Sequence, residues 1–152
     1  MRAANDRKLA ICGRALMFEG GVLLVVAAIH LLVIPILSRE LSRGLTVADF
    51  ATIWPPFLLN HVVVGILLIP LGVSTVYAGH AVAQHLRWGF RIACLNAVTV
   101  LSLPAVLFAV MPLHYFHAPP FLVASVLVCL AALSMISLLV WVRAEFRDGV
   151  TG

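Results

Sequence analysis

Residues 92–142 read IACLNAVTVLSLPAVLFAVMPLHYFHAPPFLVASVLVCLAALSMISLLVWV, and none of these 51 residues carries a formal charge. A second uncharged stretch covers residues 50–86. An apolar helix of about 20 residues suffices to cross the hydrocarbon core of a bilayer. The first stretch is therefore long enough for two crossings. The prolines of segment 112–120 predict a turn between them, because proline removes a backbone donor and disfavours helix at the preceding residue.

The chain as a whole has the composition of a membrane protein. Of its 152 residues, 63% are hydrophobic and 11% are charged, which is far outside the usual range of soluble domains. The net charge of +4 does not indicate nucleic-acid binding, because the basic residues flank apolar stretches instead of forming a basic face. We predict a single all-α domain over residues 1–152, an up-down bundle of four transmembrane helices at about 16–37, 57–78, 92–111 and 121–142.

Lysine and arginine are distributed unequally between the two sides of these spans. The two tails and the middle loop, which share one side, hold eight of them, whereas the other side holds only Arg39 and Arg43. Cytoplasmic loops of membrane proteins carry the excess of basic residues. The sequence therefore predicts that both termini are cytoplasmic, in what we expect to be a bacterial inner (plasma) membrane.

The first external loop, residues 38–56, shows signs of a short helix lying in the membrane interface. Thr46 and Asp49 have the spacing of a capping box, with aspartate in the place of the usual glutamate. Phe50 and Trp54 then follow on one side of the helix that this box would begin. Trp54 would anchor such a helix at the interface. An irregular loop is the alternative interpretation.

Glycines recur at intervals of seven residues along the second predicted span, at Gly65, Gly72 and Gly79. Small residues allow membrane helices to approach one another closely. We predict that this glycine stripe packs against another helix, either within the chain or across a dimer. His61 precedes Gly65 by four residues and so lies at the outer end of the same stripe.

Four of the six histidines concentrate toward the outer side of the predicted spans, at His30, His61, His114 and His117. His30 and His61 lie at similar predicted depths, and imidazoles so placed suit axial haem ligation or a copper or zinc ion. Ionisable residues inside membranes are often functional. We therefore hypothesise that His30 and His61 bind haem b or a metal such as copper, with His114 and His117 as further metal ligands. The alternative is that all four histidines are structural.

Glu19 is the one acidic residue inside a predicted span. It lies about one turn from the cytoplasmic end, level with Arg87 and Arg91 at the start of the third span. We expect a structural ion pair between Glu19 and Arg91 or Arg87. A proton-coupled carrier that uses the Glu19 carboxyl group is the alternative.

These features favour three functions, which we give in order of preference. The first is an accessory or interaction subunit that docks with a larger membrane complex or self-associates within the lipid bilayer. The second is a haem- or metal-binding redox protein, and the third is a small proton-coupled carrier. The sequence contains no nucleophile–base arrangement and no phosphate-binding loop, so it assigns no enzyme class.

Overall fold

The computed structural model describes residues 2–110 and 119–146, and nearly all of them are helical. The helices are α1 (Arg2–Leu32), α2 (Ile34–Gly44), α3 (Val47–Ala83), α4 (Arg87–Val110) and α5 (Pro119–Val142), with a 3-10 turn at Arg143–Phe146. Four stretches are long and apolar enough to cross a membrane, namely Asn5–Leu32, Val47–Ala83, Arg87–Val106 and Val126–Phe146. The prediction of an all-helical chain with four potential membrane spans is confirmed. The sidedness of those spans stays a prediction.

The first span is broken earlier than the sequence predicts. Pro35 has no N–H group and cannot donate to the carbonyl of Leu31, so it weakens the helix at that turn. The backbone still follows a helical course, because the N–H of Val33 donates to the carbonyl of Ile29 at 3.0 Å. The junction between α1 and α2 is therefore a proline kink.

The predicted capping pair begins a much longer helix than expected. The Thr46 hydroxyl oxygen accepts the N–H of Asp49 at 3.2 Å, and the hydroxyl donates to the Asp49 carboxylate at 2.6 Å. The helix does not stop at Pro55 and Pro56, which cost backbone hydrogen bonds without ending it, but continues for 37 residues to Ala83. The short helix that precedes Thr46 in the predicted external loop is α2. None of its residues is buried.

The turn between α3 and α4 has the hydrogen bonds of a Schellman motif. The N–H of Leu86 donates to the carbonyl of Ala81 at 2.9 Å, and the N–H of His85 donates to that of Val82 at 3.0 Å. His85 has a φ of 61°, in the left-handed region. This conformation reverses the chain within three residues, so α4 follows α3 directly.

The chain divides into two compact units. The four-segment unit comprises Met1–Glu19 and Ser74–Gly152, and it packs parts of α1 and α3 with α4 and α5. Its polar contacts link different helices, because the Asn96 amide donates to the hydroxyl oxygens of Ser74 and Thr75, both at 2.9 Å. A helix–helix hydrogen bond of this kind satisfies groups that lipid cannot satisfy.

The paired-helix unit, Gly20–Val73, comprises the rest of α1 and α3 together with α2. Its two long segments touch through small residues. A Cβ atom placed on Gly72 would lie 2.9 Å from the carbonyl oxygen of Gly20, and one on Gly65 would lie 2.8 Å from the Leu31 side chain. Two glycines of the predicted stripe therefore face α1 within this unit.

Candidate functional site

The candidate site is the pair of His30 and His61 in the paired-helix unit. His30 follows the buried Ala27 by three residues on α1, and His61 precedes the buried Gly65 by four residues on α3. Both rings therefore lie along the faces where the two helices touch. Their centroids are 5.6 Å apart with an interplanar angle of 37°, and both side chains are half-buried.

Each imidazole is oriented by its own helix. The Nδ1 atom of His30 lies 3.0 Å from the carbonyl oxygen of Val26, and that of His61 lies 3.1 Å from the carbonyl oxygen of Phe57. A carbonyl oxygen can only accept, so in the neutral ring Nδ1 carries the proton and Nε2 keeps its lone pair. A bond of this kind fixes the tautomer of metal-binding histidines. Both rings thus have an Nε2 atom suited to coordinating a metal.

A column of aromatic rings leads from the pair toward the N-terminal end of α3. The centroid of Phe57 lies 4.3 Å from that of His61 and 6.0 Å from that of Trp54, which lies 5.6 Å from that of Phe50. We call Phe50, Trp54 and Phe57 the aromatic column. The sequence analysis did not connect this column to His61. The four aromatic rings recur every three or four residues, which is the spacing of neighbours on one helix face. The two prolines between Trp54 and Phe57 hide this pattern, because they suggest that the helix ends there.

A haem group does not fit between these two histidines. Axial ligation by both requires the macrocycle to lie between the rings. One turn from His61, however, a Cβ atom on Gly65 would lie 3.4 Å from the carbonyl oxygen of Ala27, so the two helices are in direct contact there. The structure therefore does not support the haem hypothesis for this pair, because the helices leave no width for a macrocycle.

A single metal ion has different requirements. With metal–nitrogen bonds of about 2.0–2.1 Å, two coordinating Nε2 atoms lie within roughly 4 Å of each other. The ring centroids are 5.6 Å apart, which is close enough for two imidazoles to bind one ion. Within the described residues, no group of three or more His, Cys, Asp or Glu side chains is arranged to hold a metal, so the pair supplies two ligands.

The other histidines take no part in this pair as far as the structure describes them. The predicted ligands His114 and His117 lie outside the described residues. His80 lies in the four-segment unit, with its Nε2 atom 2.9 Å from the side-chain amide of Gln84. His85 lies in the same unit and is 3.1 Å from a carboxylate oxygen of Asp6.

Glu19 does not form the predicted ion pair. Among the described residues, Arg87 and Arg91 are not within ion-pair distance of Glu19, and the ion pairs present are Lys8–Glu145, Arg43–Glu40 and His85–Asp6. Both arginines are exposed in the first turns of α4. The Glu19 carboxyl group instead lies near Ser134 of α5. The sequence places these groups at similar depths but cannot show which way each helix is rotated.

The fold and composition together define a helical protein with four potential membrane spans. Comparison with protein families, curated proteins and solved structures finds nothing that matches this chain. We therefore infer the function from the geometry of the chain's own residues.

Proposed function

We propose that the protein is a copper-binding protein of the bacterial inner membrane, with His30 and His61 as its ligands. One observation carries the proposal: the two imidazoles are adjacent, and the Nδ1 atom of each is held by a carbonyl oxygen. Two helices thus present two Nε2 lone pairs close to each other.

Copper suits the two ligands found among the described residues better than the other metals that imidazole binds. Structural zinc sites use four protein ligands, and catalytic ones use three, whereas copper(I) is stable with two nitrogen ligands. The Phe57 ring, 4.3 Å from that of His61, covers one side of the site with apolar surface.

The length of α3 supports a position near the extracytoplasmic face. Its 37 residues extend over about 55 Å, whereas the hydrocarbon core is about 30 Å thick. With both termini in the cytoplasm, as the distribution of basic residues favours, the N-terminal part of α3 extends beyond the core. Trp54 then lies in the interface where tryptophan concentrates. His61 lies two turns farther in, so an ion can reach it from outside.

Copper loading of the purified protein tests the proposal. We expect the wild type, reduced with ascorbate in detergent and challenged with a copper(I) chelator, to retain one copper ion per chain by elemental analysis. His30→Gln and His61→Gln should each lose it. His80→Gln is the matched control, because His80 lies in the other unit, and it should retain the metal. Equal copper content in all four proteins, each with unchanged circular dichroism, would overturn the proposal.

An interaction subunit is the second candidate, and Asn60 favours it. This side chain is exposed on α3 beside His61, and it makes no hydrogen bond to any described residue. Polar side chains in membrane helices commonly hydrogen-bond to a neighbouring helix. In mild detergent the wild type should therefore elute as a larger assembly than Asn60→Leu, with the neighbouring Leu59→Ala as control. Identical elution of all three proteins would remove this support.

A further inference from the structure

We propose that Glu19 is a reversible proton-binding site inside the membrane, with its carboxyl group protonated in the resting protein. This site lies in the four-segment unit and is independent of the histidine pair. Glu19 is the only formally charged residue between Arg14 and Arg39. No role in the copper site accounts for it.

The depth of Glu19 in the membrane follows from its position on α1 and from the position of the neighbouring Ser134 on α5. Ser134 of α5 lies near the Glu19 carboxyl group. It precedes Arg143, the first residue of the 3-10 turn, by nine residues. No residue of α5 carries a formal charge. Nine residues correspond to about 13 Å of helix. On α1, Glu19 is five residues beyond Arg14, which is exposed. The carboxyl group therefore lies below the membrane surface, where water does not solvate it freely.

The surroundings of Glu19 do not compensate a negative charge. Among the described residues, its Oε2 atom is buried and has no hydrogen-bond partner, and no lysine, arginine or histidine is within ion-pair distance. Cys12 on its own helix and Ser134 on α5 are polar groups near it. The Cys12 thiol donates to the carbonyl oxygen of Leu138 at 3.7 Å. None of these groups is a cation.

A carboxylate in such a place is much less stable than a neutral carboxylic acid. An isolated buried charge costs far more free energy than a buried neutral polar group. The protonated acid also gains an O–H donor, which can bond to the Ser134 hydroxyl oxygen. A glutamine would satisfy a purely structural role without this cost. Glutamate at this position therefore indicates a group that takes up and releases a proton.

Labelling with dicyclohexylcarbodiimide, an apolar reagent, tests for a protonated carboxyl group inside the membrane. The acid's proton transfers to a carbodiimide nitrogen, and the carboxylate oxygen bonds to the central carbon. The O-acylisourea then rearranges to a stable N-acylurea. Peptide mass spectrometry of the intact protein labelled at pH 7 should find the adduct on Glu19, with less of it as the pH rises. The exposed Glu40 is the internal control and should remain unmodified.

Infrared spectroscopy gives a second measurement that does not depend on reagent access. The wild type at neutral pH should show the carbonyl stretch of a protonated carboxyl group. Glu19→Gln should lose this band, whereas Glu145→Gln should keep it. Absence of the band from the folded wild type, or its persistence in Glu19→Gln, would overturn the proposal whatever the labelling shows. Glu19→Gln should retain copper, so failure here is distinct from failure of the copper site.

Discussion

The four-segment unit and the paired-helix unit share two helices, α1 and α3, but bury very different side chains. All eight of the largest fully buried side chains among the described residues belong to the four-segment unit: Leu9, Cys12, Leu16, Thr75, Val82, Val100, Met135 and Val142. In the paired-helix unit, the described apolar side chains that are buried are Leu23, Ala27 and Leu68. A filled core stabilises the first unit, whereas the second has half-buried rings that a ligand can reach. The copper site that we propose would thus lie in the less tightly filled unit.

The largest effect should come from a change that separates helices in the four-segment unit. A Cβ atom on Gly79 would lie 2.6 Å from the carbonyl oxygen of Gly13 and 2.8 Å from the backbone nitrogen of Met17. Backbone atoms cannot move aside as a side chain can, so we expect Gly79→Leu to lower the free energy of unfolding by about 3 kcal/mol or more. Unfolding in a denaturing detergent, followed by circular dichroism, measures this.

The control for that change is Gly21→Leu. Among the described residues, a Cβ atom on Gly21 meets nothing within 4 Å, and leucine has a higher helix propensity than glycine. Gly21→Leu should therefore be as stable as the wild type or more so. If Gly79→Leu and Gly21→Leu were equally stable, the close approach of α1 and α3 in this unit would be wrong.

A smaller loss of stability is expected from Gly72→Leu in the paired-helix unit. A Cβ atom on Gly72 would lie 2.9 Å from the carbonyl oxygen of Gly20 and 2.8 Å from the Leu24 side chain. Gly72→Leu should cost about 2–3 kcal/mol and should weaken copper binding by moving His30 away from its partner. Leu68→Ala should cost less, roughly 1 kcal/mol, because lipid is as apolar as leucine and only packing is lost.

Thermal unfolding and copper retention of these two variants sharpen the comparison between units. Gly72→Leu should retain less copper than Leu68→Ala, while the four-segment unit keeps its helical signal. If Leu68→Ala were the more destabilising of the two, the glycine stripe would not be a close contact.

The next largest loss of stability should come from removing the polar contacts of Asn96 in the four-segment unit. Asn96 is buried, and its amide donates to Ser74 and Thr75. Asn96→Leu should cost about 1–2 kcal/mol, the range of hydrogen bonds between membrane helices. Thr99→Val is the matched control, because the exposed Thr99 hydroxyl bonds only to Leu95 of its own helix. Equal stability of the two variants in detergent unfolding would contradict an interhelical role for Asn96.

The smallest expected change is a gain in stability, at His85. His85 adopts a left-handed conformation at the position after α3 where glycine is preferred. Its contact with Asp6 is solvent-exposed and contributes little. His85→Gly should therefore raise stability by about 0.5–1 kcal/mol. His80→Gly, inside α3, should lower it by a similar amount, and a loss of stability in both variants would contradict the Schellman assignment.

The sequence predicted the number and approximate position of the long helices, because uncharged stretches and proline-rich turns depend on local composition. It could not predict the consequences of each proline. Pro35 kinks the chain between α1 and α2, whereas Pro55 and Pro56 lie within α3. The difference depends on packing and caps. The matched depth of His30 and His61 was predictable from helix rise. Their separation and the Nδ1 bonds depend on helix rotation, as does the absence of an arginine beside Glu19 among the described residues.

The central claim, that His30 and His61 share one copper ion, is tested most directly by X-ray absorption at the copper edge of the copper(I)-loaded protein. We predict two nitrogen ligands at roughly 2 Å, with the outer-shell scattering of imidazole and no sulfur. This signature should disappear in His61→Gln and persist in His80→Gln. A sulfur shell at roughly 2.3 Å, or a spectrum that is unchanged in His61→Gln, would contradict the account.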